Sequence, residues 1–168
     1  AQNSFDGVLT TIGILMGTYF GDVESPRIVL TTVFGASIAM GVSGMWGTYF
    51  AEKAERTKKT KELEMQVLTR LRNTRIGRAE RFAIVAISLV DGLSPFFASL
   101  IVLLPFFFIG AGAIKTAYLA SLALAFAELA FLGIFLGKIS KENIIKSSLK
   151  MMVAGIVCIA LTFFLEHI

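Results

Sequence analysis

Long apolar stretches separated by short polar segments dominate this chain. Residues 28–51 contain no charged side chain, residues 82–114 contain only Asp91, and residues 116–137 contain only Glu128. An apolar stretch of about 18 or more residues with few or no charges is typical of a membrane-spanning helix. The pattern therefore predicts an all-α, polytopic membrane protein.

Five spans are predicted, at residues 3–22, 27–50, 82–109, 114–137 and 146–166. The first is the shortest, since its charge-free part covers only residues 7–21, or about 22 Å of helix against a hydrocarbon core about 30 Å thick. It can cross only by including residues 1–5, which draws Asp6 into the membrane. Residues 51–81 read as a cytoplasmic helical loop that continues span two. Gly77 is expected to end that helix, and the whole chain (1–168) forms a single membrane domain.

Composition and charge agree with this interpretation and add an orientation. Hydrophobic residues make up 55% of the 168 positions, and the mean hydropathy is +0.75. Residues 53–81 hold ten Lys or Arg and residues 138–150 hold four, whereas the other two connections hold one each. Loops rich in Lys and Arg stay cytoplasmic. We therefore expect the N-terminus and the 51–81 loop inside and the C-terminus outside. The net charge of +4 is therefore interpreted as a sign of membrane orientation. No nucleic-acid-binding motif accompanies it.

The step Asp-Gly opens two of the most apolar segments. At an offset of 85, Asp6-Gly7 aligns with Asp91-Gly92, and Lys53 aligns with Lys138. This indicates a parallel internal repeat of two helix pairs, a construction common in transporters, with chance matching of apolar residues as the alternative. We expect each glycine to allow a close neighbouring helix while the carboxylate faces a cavity.

Three acids lie within predicted spans. The helix rise places Asp91 and Glu128 about 15 Å from the inner ends of their spans, near the midplane, with Asp6 nearer the cytoplasm. A charge at the bilayer centre costs about 2.5–3.5 kcal/mol even on the most lenient scale, and no Lys, Arg or His lies near the midplane of the predicted spans to neutralise it. Such acids are protonated, face water or bind a cation. The alternative is a structural, protonated acid bonded to a neighbouring carbonyl.

Two methionines on span two add sulfur donors to the three acids, which favours a metal site. Carboxylate oxygen combined with the thioether sulfur of Met40 and Met45 favours a borderline divalent metal such as Fe²⁺ or Mn²⁺, although methionine in an apolar helix usually only packs. A cytoplasmic collection point is predicted at Glu52, Glu55, Glu64 and Met65. A solvated, charged helix with the pairs Glu52–Arg56 and Glu55–Lys59 is the alternative there.

Glycine and proline positions predict how the spans pack. Span one carries glycine and span two small residues at every fourth place, which lets helix backbones touch and suits either a homodimer contact or packing within the chain: Gly13, Gly17, Gly21, Gly35, Ala39, Ser43 and Gly47. Pro95 and Pro105 interrupt span three, where a broken helix and a simple kink are both open.

Four segments together resemble the vacuolar iron transporter family: "DGVLTTIGILMG", "FGASIAMGVSGMWGTYFAEKAER", "DGLSPFFASLIVLLPFFF" and "GKISKENIIKSSLKMMVAGI". The resemblance covers nearly the whole chain. It implies a five-helix homodimer with an ion path along the subunit interface, exporting Fe²⁺ or Mn²⁺ in exchange for protons, and it matches Asp6 to the family's acid on span one. The chain departs from the family at Gly44, where the family has methionine, and near Ala36, where it has glutamate. Its cytoplasmic loop is also shorter, so Asp91 and Glu128 are hypothesised to supply missing ligands.

We therefore predict a multi-pass, homodimeric transporter whose partners are the lipid bilayer and a transported metal ion, with no resident cofactor and no catalytic residue. A scaffold protein without transport is one alternative. A membrane enzyme resembling the CDP-alcohol phosphotransferases is another, but their Ala-Arg and further aspartates at four-residue spacing do not follow Asp6 or Asp91.

Overall fold

The described part of the protein is a bundle of five α-helices. The structure, a computed structural model, describes residues 2–67, 75–108 and 113–166, without the side chains of residues 67 and 76. The helices are α1 (Gln2–Phe20), α2 (Pro26–Val67), α3 (Arg75–Phe108), α4 (Ile114–Ile139) and α5 (Ile144–Glu166). Every secondary-structure element within these ranges is helical, which confirms the all-α prediction.

Four of the helices, α2 to α5, are long and apolar enough to cross a membrane. Their outward surfaces are apolar, as the 61% exposed Trp46, the 70% exposed Val90 and the 66% exposed Phe131 illustrate. Exposed side chains of this size are costly in water and favourable against lipid tails. The bundle therefore has the surface of a multi-pass membrane protein.

Helix α1 contains 19 residues and occupies the centre of the bundle, where it contacts all four other helices. Its Val8, Ile12 and Leu15 are at most 1% exposed and pack in one core with Val102 of α3 and Leu129 of α4. This position lets the buried side of α1 carry polar residues such as Thr11, which is 1% exposed. A helix shielded by protein can carry glycine and polar residues that lipid would not tolerate.

Two predictions about helix continuity have clear outcomes. Helix α2 runs on as predicted from the apolar stretch to Val67, and residues 68–74 lie outside the described part of the chain. The break predicted at Gly77 is wrong, because α3 begins at Arg75 and includes a buried Gly77. A glycine inside a helix costs only about 1 kcal/mol, which packing easily outweighs. Helix α3 also continues through Pro95 and Pro105, so the broken-helix alternative fails for this span.

The connections between helices are fixed by specific hydrogen bonds. Tyr118 Oη of α4 donates to the Val23 carbonyl in the α1–α2 turn at 3.0 Å, and Asp22 in that turn has φ of 50°. Asn143 Oδ1 accepts the backbone N–H groups of Ile145 and Lys146, which caps the N-terminus of α5. The first bond anchors the α1–α2 turn to α4, and the other two fix the start of α5.

Candidate metal site

The first Asp-Gly step lies where α1 and α3 approach most closely. A Cβ atom added to Gly7 would lie 2.8 Å from both the Cα atom and the carbonyl oxygen of Pro95, so only glycine fits there without a shift of backbone. One turn away, the Ser4 and Ser94 hydroxyls are 2.7 Å apart. The two helices run parallel here, with each α1 residue opposite the α3 residue 88 to 90 places later.

Pro95 leaves one backbone carbonyl of α3 without its helical hydrogen-bond donor, and a side chain of α1 supplies a donor instead. Proline has no N–H group, so the carbonyl four residues earlier, that of Asp91, loses its helical donor. Asn3 Nδ2 donates to this carbonyl across the helix contact at 3.2 Å. A buried carbonyl without a donor would cost about 1–3 kcal/mol. Asn3 thus makes the proline tolerable within an unbroken helix.

Further along the same contact the polar groups are hydroxyls. Thr11 Oγ1 and Ser99 Oγ lie 3.0 Å apart, and both side chains are at most 1% exposed. Each hydroxyl also bonds a carbonyl one turn back on its own helix, that of Gly7 for Thr11 and that of Pro95 for Ser99. The α1–α3 contact is therefore closely packed and hydrogen-bonded through its buried part.

The second Asp-Gly step lies between α2 and α3. A Cβ atom on Gly92 would fall 2.6 Å from Met45 Cβ and 2.8 Å from the Gly41 carbonyl oxygen. The half-buried Asp91 accepts a hydrogen bond from Thr48 Oγ1 on Oδ2 at 2.7 Å. Asp91 therefore has a protein partner, and Met45 packs with its Cβ against the glycine beside it.

Asp6 has different surroundings, since its side chain is exposed on the outside of the bundle. It begins a row on α1 at the spacing of one helix face, and α2 has a row at the same spacing. We call the two rows together the α1–α2 face: Asp6, Thr10, Gly13 and Gly17 of α1, with Ala36, Met40, Ser43 and Gly47 of α2. The rows touch where Thr10 Oγ1 donates to Met40 Sδ at 3.3 Å.

The α1–α2 face is open in the single chain. Asp6, Gly17, Ser43 and Gly47 are exposed, and a Cβ atom on either of these glycines would meet no atom within 4 Å. A polar carboxylate and hydroxyl thus share a surface of small residues beside a half-buried thioether. This is the part of the predicted site where oxygen and sulfur donors are accessible from outside the chain.

The predicted order of depth is wrong for Asp6. The α1–α3 pairing places Asp6 opposite about residue 94, which is three residues, or about 4.5 Å, further along α3 than Asp91. Residue counts along a single helix give a position relative to its own end. The lateral register of the two helices and the start of α3 at Arg75 decide which residues face each other.

Glu128 lies on α4, a different helix from those that carry the two aspartates. It lies half-buried on α4, and its Oε2 atom is fully enclosed without a hydrogen-bond partner in the described part of the protein. Ser121 Oγ, two turns earlier on α4, is enclosed in the same way. Buried polar atoms of this kind are rare, and each requires a specific explanation such as a proton, water or ion.

The predicted cytoplasmic collection point consists mostly of paired charges. Glu52 accepts from Arg56 Nε at 2.7 Å, and Glu55 accepts from Lys59 Nζ at 2.6 Å, as the spacing predicted. The hydrogen bond from Lys59 lowers the pKa of Glu55, and the same bond raises the pKa of Lys59. Glu64 lies in the wall of a basic cleft described below, and Met65 is 70% exposed.

The structure thus brings together only part of the predicted set. Thr10 links α1, which carries Asp6, to Met40, and Met45 lies beside the Asp-Gly step of Asp91. Among residues 2–67, 75–108 and 113–166, no group of three or more His, Cys, Asp and Glu is placed to hold a metal ion. The partners Asn3, Thr10 and Thr48 were missed by sequence reasoning. Each is a polar side chain within an apolar helix, and that feature alone does not identify the group it bonds.

Comparison with known proteins gives a relationship without an assigned activity. No family model matches the chain. The chain is similar to the uncharacterized protein MJ0645 of Methanocaldococcus jannaschii, with 32% identity over 163 residues, which cover 95% of this chain and 82% of that protein. An alignment of this extent passes through all five helices.

Proposed function

The chain belongs to the family of the uncharacterized Methanocaldococcus jannaschii protein MJ0645, and we propose that it exports a divalent metal ion, Fe²⁺ or Mn²⁺, from the cytosol in exchange for protons. The proposal rests on the resemblance of its motifs to the vacuolar iron transporters and on the position of Asp6. The other features below support it from the packing of the bundle.

The exposed Asp6 on the α1–α2 face carries the proposal. A carboxylate that faces lipid at this depth would cost about 2.5–3.5 kcal/mol or more. The small residues beside it leave room for a second helix surface, and Gly17 and Gly47 meet nothing within 4 Å in the single chain. A second copy covering this face would remove Asp6 from lipid and enclose it in a polar path.

A two-fold axis through the α1–α2 face would double its donors. Each copy would contribute the Asp6 carboxylate and the Met40 thioether, with Ser43 hydroxyls nearby. Oxygen and thioether donors together suit a borderline divalent ion. In this arrangement metal binding requires the dimer, which is consistent with the lack of a metal-binding group within the described part of one chain.

The remaining acids fit the proton half of the exchange. Glu128 has an enclosed oxygen without a partner in the described part of the protein, and a proton on that oxygen would remove the cost of a buried charge.

With α1 as a fifth span, the N-terminus and the α2 extension would lie in the cytosol and the C-terminus outside, in line with the distribution of Lys and Arg.

Metal flux in proteoliposomes tests the proposal. We expect Asp6→Asn to reduce Fe²⁺ or Mn²⁺ flux at least tenfold, because the change removes the accessible anionic ligand. Glu24→Gln is the matched control, since Glu24 is an exposed acid in the α1–α2 turn. Equal flux through wild type and Asp6→Asn would exclude Asp6 from the mechanism and remove the main support for transport.

A scaffold role without transport is the second candidate, and the environment of Asp91 favours it. That carboxylate is bonded to Thr48 and its carbonyl to Asn3, as expected for a structural acid. This candidate predicts no metal flux above that of empty vesicles. It also predicts that Asp6→Asn and Glu128→Gln leave the growth of metal-stressed cells unchanged.

A further inference from the structure

A basic cleft of about 810 Å³ lies between the extension of α2 and the start of α3. Four cationic side chains line it, against two acids: Lys53, Arg56, Lys61 and Arg81, with Glu64 and Glu80. Glu80 accepts a hydrogen bond from Thr60 at 2.6 Å, and Arg56 is held by Glu52. The lining therefore has an excess of positive charge that none of the functions above uses.

The position of the cleft relates it to the membrane boundary. Lys53 follows the apolar stretch 28–51 by two residues, and Arg81 directly precedes the apolar stretch that begins at Phe82. Both helices thus place a cation at the level where lipid headgroups begin. On the membrane side of these cations the cleft is lined by Tyr49, Ile84 and Val85.

Lys53 is also held in place at this boundary. Its Nζ lies 5.5 Å from the centre of the Tyr49 ring, within the range of a cation–π interaction. A second, shallower groove on the neighbouring side of α2 repeats the arrangement, with Phe50 and Ala54 at the apolar end and three lysines above: Lys53, Lys58 and Lys61. No acid lines this second groove among the described residues.

We propose that the cleft binds an anionic phospholipid, with its phosphate between Lys53 and Arg81 and the start of its acyl chains against Ile84 and Val85. Arginine and lysine are the usual donors to phosphate oxygens. The apolar end distinguishes a lipid from free phosphate, because a small anion would leave the 49% exposed Val85 uncovered. The bound lipid would brace the α2 extension against the start of α3.

Native mass spectrometry of the detergent-purified protein tests this inference, with phosphatidylglycerol and phosphatidylcholine as probes. We expect phosphatidylglycerol to bind at least tenfold more tightly than phosphatidylcholine. The double variant Lys53→Gln/Arg81→Gln should lose at least fivefold in affinity for phosphatidylglycerol. Lys146→Gln/Lys150→Gln removes the same charge from exposed positions on α5 and should bind as wild type does.

Four further outcomes decide the matter. Lys53→Arg/Arg81→Lys keeps both charges, so it should retain binding and thereby show that a loss in the double glutamine variant is not misfolding. Equal binding of the two lipids, or an equal loss in the α5 control, would overturn the inference. Displacement of phosphatidylglycerol by micromolar inorganic phosphate would also overturn it, because the site would then recognise the anion alone.

Discussion

The two Asp-Gly steps have the same sequence but different surroundings. Gly7 and Gly92 have the same role, since each allows a neighbouring helix to approach within a distance that excludes a Cβ atom. The aspartates differ. Asp91 is half-buried and accepts a hydrogen bond from Thr48, whereas Asp6 is exposed on the α1–α2 face.

This difference teaches that the repeated step reflects a repeated packing requirement more than a repeated chemistry. The glycine is needed wherever two helices touch, and the adjacent residue then points in a direction set by the helix turn. On α3 that direction leads to another helix with a donor. On α1 it leads out of the bundle, where a carboxylate is available to a ligand or a second copy.

The largest effect is expected from the glycines. Gly7→Ala and Gly92→Ala should each destabilise the protein by about 1–3 kcal/mol, because the new methyl group meets backbone or Cβ atoms that cannot move independently. Thermal unfolding in detergent micelles measures this. Gly35→Ala is the control, since nothing lies within 4 Å of its added Cβ, and it should be no less stable than wild type. A similar loss in all three variants would contradict the role assigned to close contact.

Substitutions of the two aspartates are expected to have different effects on stability and on transport. Asp91→Ala removes the hydrogen bond from Thr48 and should cost about 1 kcal/mol. Asp6→Ala removes an exposed side chain and should change stability by less than about 0.5 kcal/mol. Unfolding temperatures compared with metal flux for the two variants check this. Equal destabilisation by both changes would show that the two acids are not distinct.

A double-mutant cycle that pairs Asn3 of α1 with Pro95 of α3 is expected to give a smaller change in the free energy of unfolding. Pro95→Ala restores an N–H group to serve the Asp91 carbonyl, so Asn3→Ala should cost about 0.5–1 kcal/mol less in that background than in wild type. The unfolding free energies of the four proteins give the coupling. Additive losses would mean that Asn3 does not compensate for the proline.

The smallest effect concerns an acid outside the bundle. The Lys59 hydrogen bond lowers the pKa of Glu55, so the stabilisation from this pair is present above the ordinary glutamate pKa and is lost as the pH falls through the lowered value. Carboxyl carbon chemical shifts followed against pH should show a low midpoint for Glu55. Lys59→Gln should move the midpoint upward, and an unchanged midpoint would contradict the pairing.

Much of the fold follows from the sequence because long apolar stretches and i,i+4 charge pairs are local signals. The helices on residues 26–67 and 114–139 and the pairs Glu52–Arg56 and Glu55–Lys59 are of this kind. The register of α1 against α3 is set by side-chain contacts between segments 88 residues apart, and no local pattern encodes it. The prediction for the depth of Asp6 failed for that reason, and the prediction for Gly77 failed because the packing of a buried glycine outweighs its low helix propensity.

The partners of the candidate acids were unpredictable for a related cause. Thr48 lies 43 residues from Asp91, and serine and threonine in apolar helices usually bond their own backbone, as Ser37 and Ser88 do. The sequence alone could not separate these cases. Whether an intramembrane acid is satisfied or available therefore depends on tertiary contacts.

The close glycine contacts fall into two groups of helices. Contacts in which a Cβ atom would come closer than 3 Å join α3 to α1 at Gly7, join α3 to α2 at Gly41 and Gly92, or join α4 to α5 at Gly133 and Gly155. Between these two groups the described glycines provide only an ordinary contact, 3.7 Å from Gly13 to Cys158 Sγ. Across that boundary the helices meet through side chains of the shared core, among them Ile12 and Leu129, so sliding of one group past the other would require those side chains to repack.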